Sequence, residues 1–263
     1  MEVIIQSDAD AAARLVSRLM ARQLQDVPGT VFGLATGRTM ERVYAMLAKM
    51  HKEQGLDFTR CRTFNLDEYI GIPASSENSY RHYMNHHLFN QVNIPIANTY
   101  LPDCMAADVK SACREYERYM RDCGGIDLQL LGIGVSGHIG FNEPLSALRS
   151  RTRDKALTPA TLKQNAPMFG GDISRMPHRA ITMGVGTILE ARKLLVLVTG
   201  SEKADIVAQA VEGPITSMVS ASAIQLHADC CVVVDEAAAA NLKGHEYYRW
   251  IFANEPDWAE YRS

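Results

Sequence analysis

The chain has 263 residues, 47% hydrophobic and 22% charged, enough to bury a sizeable core as one domain. A formal net charge of −3 gives no electrostatic footprint for nucleic acid or an anionic membrane, so an anionic ligand must be held by local cations and backbone amides. No run approaches the roughly 18 apolar residues of a membrane span, and Met1 to Asp8 lacks the basic and apolar regions of a secretion signal.

Apolar runs alternate with helix-period stretches along the chain. Ser7 or Asp8 can cap a helix over Ala11 to Gln25. Thr30 to Ala35 reads as a strand, followed by the turn Thr36-Gly37-Arg38-Thr39 and a helix over Glu41 to Lys52. Cys61 to Leu66 is the next strand, ending at Asp67-Glu68. Glu77 to Gln91 and Asp108 to Cys123 read as helices, the second stopped by Gly124-Gly125. Asp127 to Ile133 is the central strand. Pro144 to Pro177 is polar, broken by Pro159, Pro167 and Gly170-Gly171, and long for a plain loop; it suits a lid or a poorly periodic surface helix. Arg192 to Thr199 is a strand, Ser201 to Glu212 a helix, Cys230 to Asp235 a last strand and Ala237 to Leu242 a short helix. This order predicts an α/β fold: a doubly wound, mostly parallel sheet with helices on both faces. No linker divides the chain.

Function concentrates in the loops at strand ends, where open parallel sheets bind ligands. Leu131-Gly-Ile-Gly-Val-Ser-Gly-His138 to Glu143-Pro144 places a histidine and a carboxylate five residues apart after an apolar strand, a minimal kit for proton transfer at neutral pH. The plainer alternative is a glycine-rich turn whose histidine caps a helix. Gly132-x-Gly134-x-x-Gly137 matches the dinucleotide fingerprint in form only, because no second strand carrying an acid follows within about 20 residues. Thr36 to Thr39 can cradle a phosphate with amides, hydroxyls and Arg38, though it lacks the ending of a nucleotide-triphosphate loop. Asn65-Leu66-Asp67-Glu68-Tyr69 sets two carboxylates side by side, which can raise one pKa towards a general base's range. Lys203, in the first turn after Thr199-Gly200, opposes the helix dipole as a cation kept for an anion would. Solvated turns and an exposed lysine are the bland readings of these last two. His82, His86 and His87 have helical spacing without a third ligand beside them, and none of the six cysteines forms a Cys-x-x-Cys pair; no metal is expected, and reduced thiols suit the cytoplasm.

Taken together, Asn65-Leu-Asp-Glu-Tyr, Gly137-His-Ile-Gly-Phe-Asn-Glu-Pro, Ser150-Arg-Thr-Arg153, Thr182-Met-Gly-Val-Gly-Thr187 and Gly200-Ser-Glu-Lys203 resemble the glucosamine-6-phosphate deaminase family over nearly the whole chain. The resemblance implies a cofactor-free enzyme that converts glucosamine 6-phosphate to fructose 6-phosphate and ammonia. It implies His138 as ring-opening acid–base, Glu143 as its orienting group with Ser136 beside it, and Asp67 as the base that shuttles a proton between C2 and C1. It assigns the substrate's phosphate to Thr36, Gly37, Arg38, Thr39 and Lys203, with Gly137 in the binding loop.

Three departures from the family pattern stand out. Ser136 replaces an Asp or Asn, Gly37-Arg38-Thr39-Met40 replaces Gly-Gly-Thr-Pro, and Pro167 or Met168 stands where the family has a lid arginine. Arg38 is the residue expected to supply the lost charge; a shift towards the galactose epimer is the other consequence considered. Some members are hexamers activated by N-acetylglucosamine 6-phosphate. Ser146, Arg153 and Lys155 match their activator site, although Ala156 stands where they often have Thr, and the segment Lys243 to Ser263 with Tyr247, Tyr248, Trp250 and Trp258 matches their longer C-terminus. A homo-oligomer is expected on that resemblance. A 6-phosphogluconolactonase-like hydrolase and a sugar-phosphate sensor without turnover are the alternatives.

Overall fold

The computed structural model describes residues 1–262. In chain order the strands are β1 (Glu2–Gln6), β2 (Val31–Leu34), β3 (Arg62–Asn65), β4 (Asp67–Tyr69), β5 (Thr99–Tyr100), β6 (Leu128–Leu131), β7 (Arg153–Ala156), β8 (Arg179–Thr182), β9 (Lys193–Val198) and β10 (Cys230–Asp235). Seven of them form a parallel sheet in the order β1-β10-β9-β6-β2-β3-β5. Every residue of β2 and β6 is buried, as expected of central parallel strands covered on both faces.

Chain direction sorts the helices. After β1, β2 and β3 the chain steps towards the β5 edge through α1 (Ala9–Asp26), α2 (Arg38–Gln54) and α3 (Tyr80–His87). After β5, β6 and β9 it steps back towards β1 through α4 (Val109–Asp122), α5 (Pro159–Asn165), α6 (Val185–Leu189) and α7 (Ala204–Val211), then closes with α8 (Glu236–Ala239) and α9 (His245–Asn254). Right-handed crossovers put the two outward journeys on opposite faces, which is the doubly wound arrangement expected. Neighbouring strands β2 and β6 send their connections in opposite directions, so a crevice opens beyond their C-terminal ends.

Several boundaries differ from expectation. The helix expected over 77–91 is α3, capped by Ser79, followed by a 3₁₀ turn at Phe89–Gln91. The helix expected from Ser201 opens as a 3₁₀ turn before α7, and that expected over 237–242 is the shorter α8. Edge strands β1 and β5, and α9, went unread. Helix α9 is rich in aromatic residues of modest helix propensity, and packing decides it: Ile251 and Trp258 are buried, with Phe252 and Tyr261 in ring contact with Trp258.

The largest difference is a second sheet, antiparallel, of order β4-β8-β7. It takes up part of the stretch 144–177, whose remainder forms α5 and 3₁₀ turns at Ala166–Phe169 and Ile173–Arg175. Its own apolar cluster includes Tyr69, Tyr80, Phe141, Leu157 and Phe169. Glu117 of α4 ties this sheet to the large one. Its buried Oε1 accepts from the Thr152 amide (2.8 Å), Thr152 Oγ1 (2.7 Å) and Thr187 Oγ1 (2.6 Å), while Oε2 meets Arg151. Glu117→Ala leaves those buried donors without a partner and should cost about 2–3 kcal/mol, read as a lower urea midpoint with an unchanged slope.

Candidate active site

Four strand-end loops enclose a cavity of about 230 Å³ at the β2/β6 crevice. The first follows β2. Gly37 has φ +115°, a value side chains rarely adopt, and lets the chain turn sharply into α2 at Arg38. No side chain caps α2, so its first amides remain available to an anion beside Thr36, Arg38 and Thr39, all of which line the cavity. Lys203, after β9, lines the same cavity and donates to the Ile133 carbonyl at 2.8 Å. Burial lowers its pKa, although Glu202 acts the other way.

The second loop carries Asp67. Antiparallel pairing of Asp67 with Thr182 brings it to the cavity wall, 6% exposed. Burial, with the like charge of Glu68 as a lesser cause, raises its pKa to about 8. Glu68 does more than repel. Its carboxylate accepts from the amides of Tyr69, Tyr80 and Arg81, each at 3.0 Å, anchoring the start of α3.

The third loop, after β6, carries the histidine. A Cβ at Gly134 would lie 2.1 Å from His138 Nε2, so only glycine leaves room for the imidazole there. Ser136 Oγ is 2.8 Å from His138 Nδ1 and donates to Glu143 Oε2 at 3.4 Å; Glu143 Oε2 itself lies 3.3 Å from Nδ1. Glu143 Oε1 accepts from the Thr158 amide, Thr158 Oγ1 and Thr161 Oγ1. Burial alone would raise the Glu143 pKa, but hydrogen bonds with His138 and Thr161 outweigh it and bring the group down to about 2. The loop is pinned from outside by Thr182 Oγ1 on the Phe141 amide, Ser220 Oγ on the Asn142 carbonyl and Arg153 on Asn142 Oδ1.

Asp67, His138, Thr36, Gly37, Arg38, Thr39 and Lys203 thus meet at one cavity. Ser136 and Glu143 sit behind His138 and outside the lining, and so does Gly137, whose φ of +77° and close contacts with Ile206 and Val219 call for glycine on packing grounds. Of the stretch 144–177, Gln164, Asn165 and Met168 reach the cavity. Tyr80, Phe141 and Glu202 also line it and were not anticipated; nothing in the spacing of Tyr80 marks it out. Ser146, Arg153 and Lys155 are elsewhere: Arg153 borders a separate surface cavity with Glu117 and Arg151. Among the described residues no group of three or more His, Cys, Asp or Glu could hold a metal ion, and no helix is long and apolar enough to cross a membrane.

Comparison with known proteins gives the family and the fold. Residues 6–233 match the family model described as glucosamine-6-phosphate isomerases/6-phosphogluconolactonase. A glucosamine-6-phosphate deaminase of Streptomyces coelicolor is 48% identical over 258 residues, 98% of this chain and 99% of its own. One from Cellvibrio japonicus is 48% identical over 251 residues, 95% of each chain. Among solved structures, a monomeric glucosamine-6-phosphate deaminase aligns with TM-score 0.89 and 37% identity, over 92% of this chain and 100% of its own. A 6-phosphogluconolactonase from Thermotoga maritima, at 20% identity and TM-score 0.69 over 89% of this chain and 98% of its own, shares the fold. The chain belongs to the glucosamine-6-phosphate isomerase/6-phosphogluconolactonase family.

Proposed function

We propose that the protein is a glucosamine-6-phosphate deaminase, and that the observation carrying this reading is Asp67 and His138 facing one cavity beside the open start of α2, with Glu143 behind His138. Glu143, ionised across the working range, orients His138, which opens the pyranose by moving a proton between the ring and anomeric oxygens. Asp67 takes the C2 proton of the open chain and returns it at C1, leaving a C2 imine. Water adds to that carbon and ammonia leaves, giving fructose 6-phosphate. A base whose pKa sits near the working pH serves both halves of the transfer, and the substrate's ammonium favours its ionised form. Side chains and water suffice for every step.

The whole chain acts as one catalytic domain, with 144–177 as the lid and the C-terminal segment covering β1 through α9. Arg38 and Lys203 neutralise the substrate's phosphate over the uncapped start of α2. Six free thiols suit a cytoplasmic setting. Control by N-acetylglucosamine 6-phosphate is supported by Ser146 Oγ and Arg153 Nη2, which are buried without a partner. With Lys155 they would take an activator's phosphate in a homo-oligomer such as a hexamer, although a relative of the same activity is described as monomeric. Sedimentation with and without that sugar phosphate tests this, and Ser146→Ala should abolish any activation while sparing the basal rate.

Ammonia release from glucosamine 6-phosphate, measured against galactosamine 6-phosphate, is the direct assay; opening of 6-phosphogluconolactone without ammonia from either would move the assignment to the lactonase branch. Arg38→Ala should raise KM at least about tenfold with kcat little changed, the loss of one charge-assisted contact of about 1.5–3 kcal/mol; a KM within twofold of the parent removes Arg38 from phosphate binding. Because a general base must be ionised in the free enzyme, kcat/KM should climb with pH along a limb centred near 8. The same group governs stability. Its folded pKa lies above the unfolded value of 3.8, so its contribution is intact below that value and is lost as pH rises to about 8. Asp67→Asn should therefore abolish turnover yet melt higher than the parent at pH 9, with the difference vanishing by pH 4.

A further inference from the structure

Glu143 makes contacts that orienting His138 does not by itself require. One oxygen, Oε2, faces His138 Nδ1 at 3.3 Å. The other, Oε1, accepts from the Thr158 amide at 3.2 Å, from Thr158 Oγ1 at 3.1 Å and from Thr161 Oγ1. Thr158 is the cap of α5 and Thr161 lies buried in its first turn. One turn further along the same helix, Gln164 and Asn165 line the cavity, and Asn165 Nδ2 donates to Tyr69 Oη at 2.9 Å. A single short helix therefore touches the carboxylate at one end and the ligand space at the other.

Capping alone does not explain this arrangement. The helix already has its cap, since Thr158 Oγ1 accepts from the Thr161 amide at 3.3 Å. A glutamate side chain with three rotatable bonds has many ways to point, and hydrogen bonds to one oxygen select the orientation of the other. We propose that Thr158 and Thr161 are positioning residues: through Oε1 they hold the Glu143 carboxylate with Oε2 facing His138, so the acid–base pair is assembled only while α5 is seated. The proposal rests on the reading of His138 and Glu143 as the ring-opening pair. The titratable group in contact with Glu143 is His138, on its own loop; α5 presents two hydroxyls and an amide. Burial works against ionisation of Glu143; the hydrogen bond with His138 and then those from Thr161 Oγ1 and the Thr158 amide reverse it. Ligand contacts at Gln164 and Asn165 thereby bear on proton transfer without any group on α5 touching the reacting bonds.

The test is a carboxyl ¹³C NMR titration of glutamate-labelled protein from pH 6 downwards, with Glu143 assigned as the signal lost in Glu143→Gln. It compares the parent, Thr161→Val, which keeps shape and removes the hydroxyl, and Thr161→Ser, which restores it. In Thr161→Val the Glu143 midpoint should rise by about one unit or more, tenfold in proton affinity, and kcat for ammonia release should fall roughly tenfold with KM within twofold. Thr161→Ser should return both to the parent's values. Should Thr161→Val not fold, Thr158→Ala is read the same way, with a shift in the same direction. An unchanged Glu143 midpoint in the hydroxyl-less variant overturns the proposal whatever the turnover, as does a serine variant no better than the valine. A parent that releases no ammonia but shows the midpoint shift retires the deaminase reading and leaves the positioning role standing.

Discussion

The reversal of winding between the parallel neighbours β2 and β6, whose connections leave towards opposite edges of the sheet, is the constraint on which the site depends. A right-handed crossover carries the chain away from β2 on one face and away from β6 on the other, so the two connections diverge and leave a gap between the strand ends. Into that gap come the open start of α2, the glycine-rich loop bearing His138, and Lys203 from the neighbouring β9. The sheet also buries its central strands β2 and β6 completely, and the loops carry the polar groups that the core could not tolerate.

A second constraint separates the roles of two carboxylates near one cavity. Asp67 is walled in beside Glu68, and burial drives it towards the protonated form. Glu143 is buried as well, yet donors from α5 and the His138 imidazole meet both of its oxygens and hold it ionised. Desolvation acts on both groups; the supply of donors and the sign of the neighbouring charge differ, Glu68 beside Asp67 and His138 beside Glu143. Glu68 shows the same logic in between, since its three amide bonds partly offset burial and convert a potential repulsive liability into an anchor for α3.

The small antiparallel sheet is the frame for this chemistry. Pairing of β4 with β8 delivers Asp67, β8 supplies the Thr182 hydroxyl that pins the Phe141 amide, and β7 supplies Arg153 to Asn142. Gly140 lies between Thr182 and Asp67, and a Cβ there would come within 2.9 Å of Thr182 Oγ1 and 3.3 Å of Asp67 Oδ2. Ser136, an uncharged hydroxyl, bridges His138 and Glu143 while Glu143 reaches the imidazole directly.

The amino-acid sequence by itself determined the five inner strands of the large sheet, because long apolar runs in alternation with 3.6-period stretches have few other ways to bury their apolar faces. It also determined the glycine turns and the residues Asp67, His138 and Lys203 at strand ends, where local chemistry and local structure coincide. Short strands such as β5, β7 and β8 left no signal, since two to four residues carry too little periodicity and β7 is only partly buried. Tyr80, Thr158, Thr161 and Asn165 were illegible for a different reason: their partners lie 11 to 96 positions away in the chain. Only the tertiary structure decided that Glu143 is held from α5 and that Glu68 anchors α3 rather than facing the ligand, because hydrogen-bond donors are shared out by position in space and not by distance along the chain.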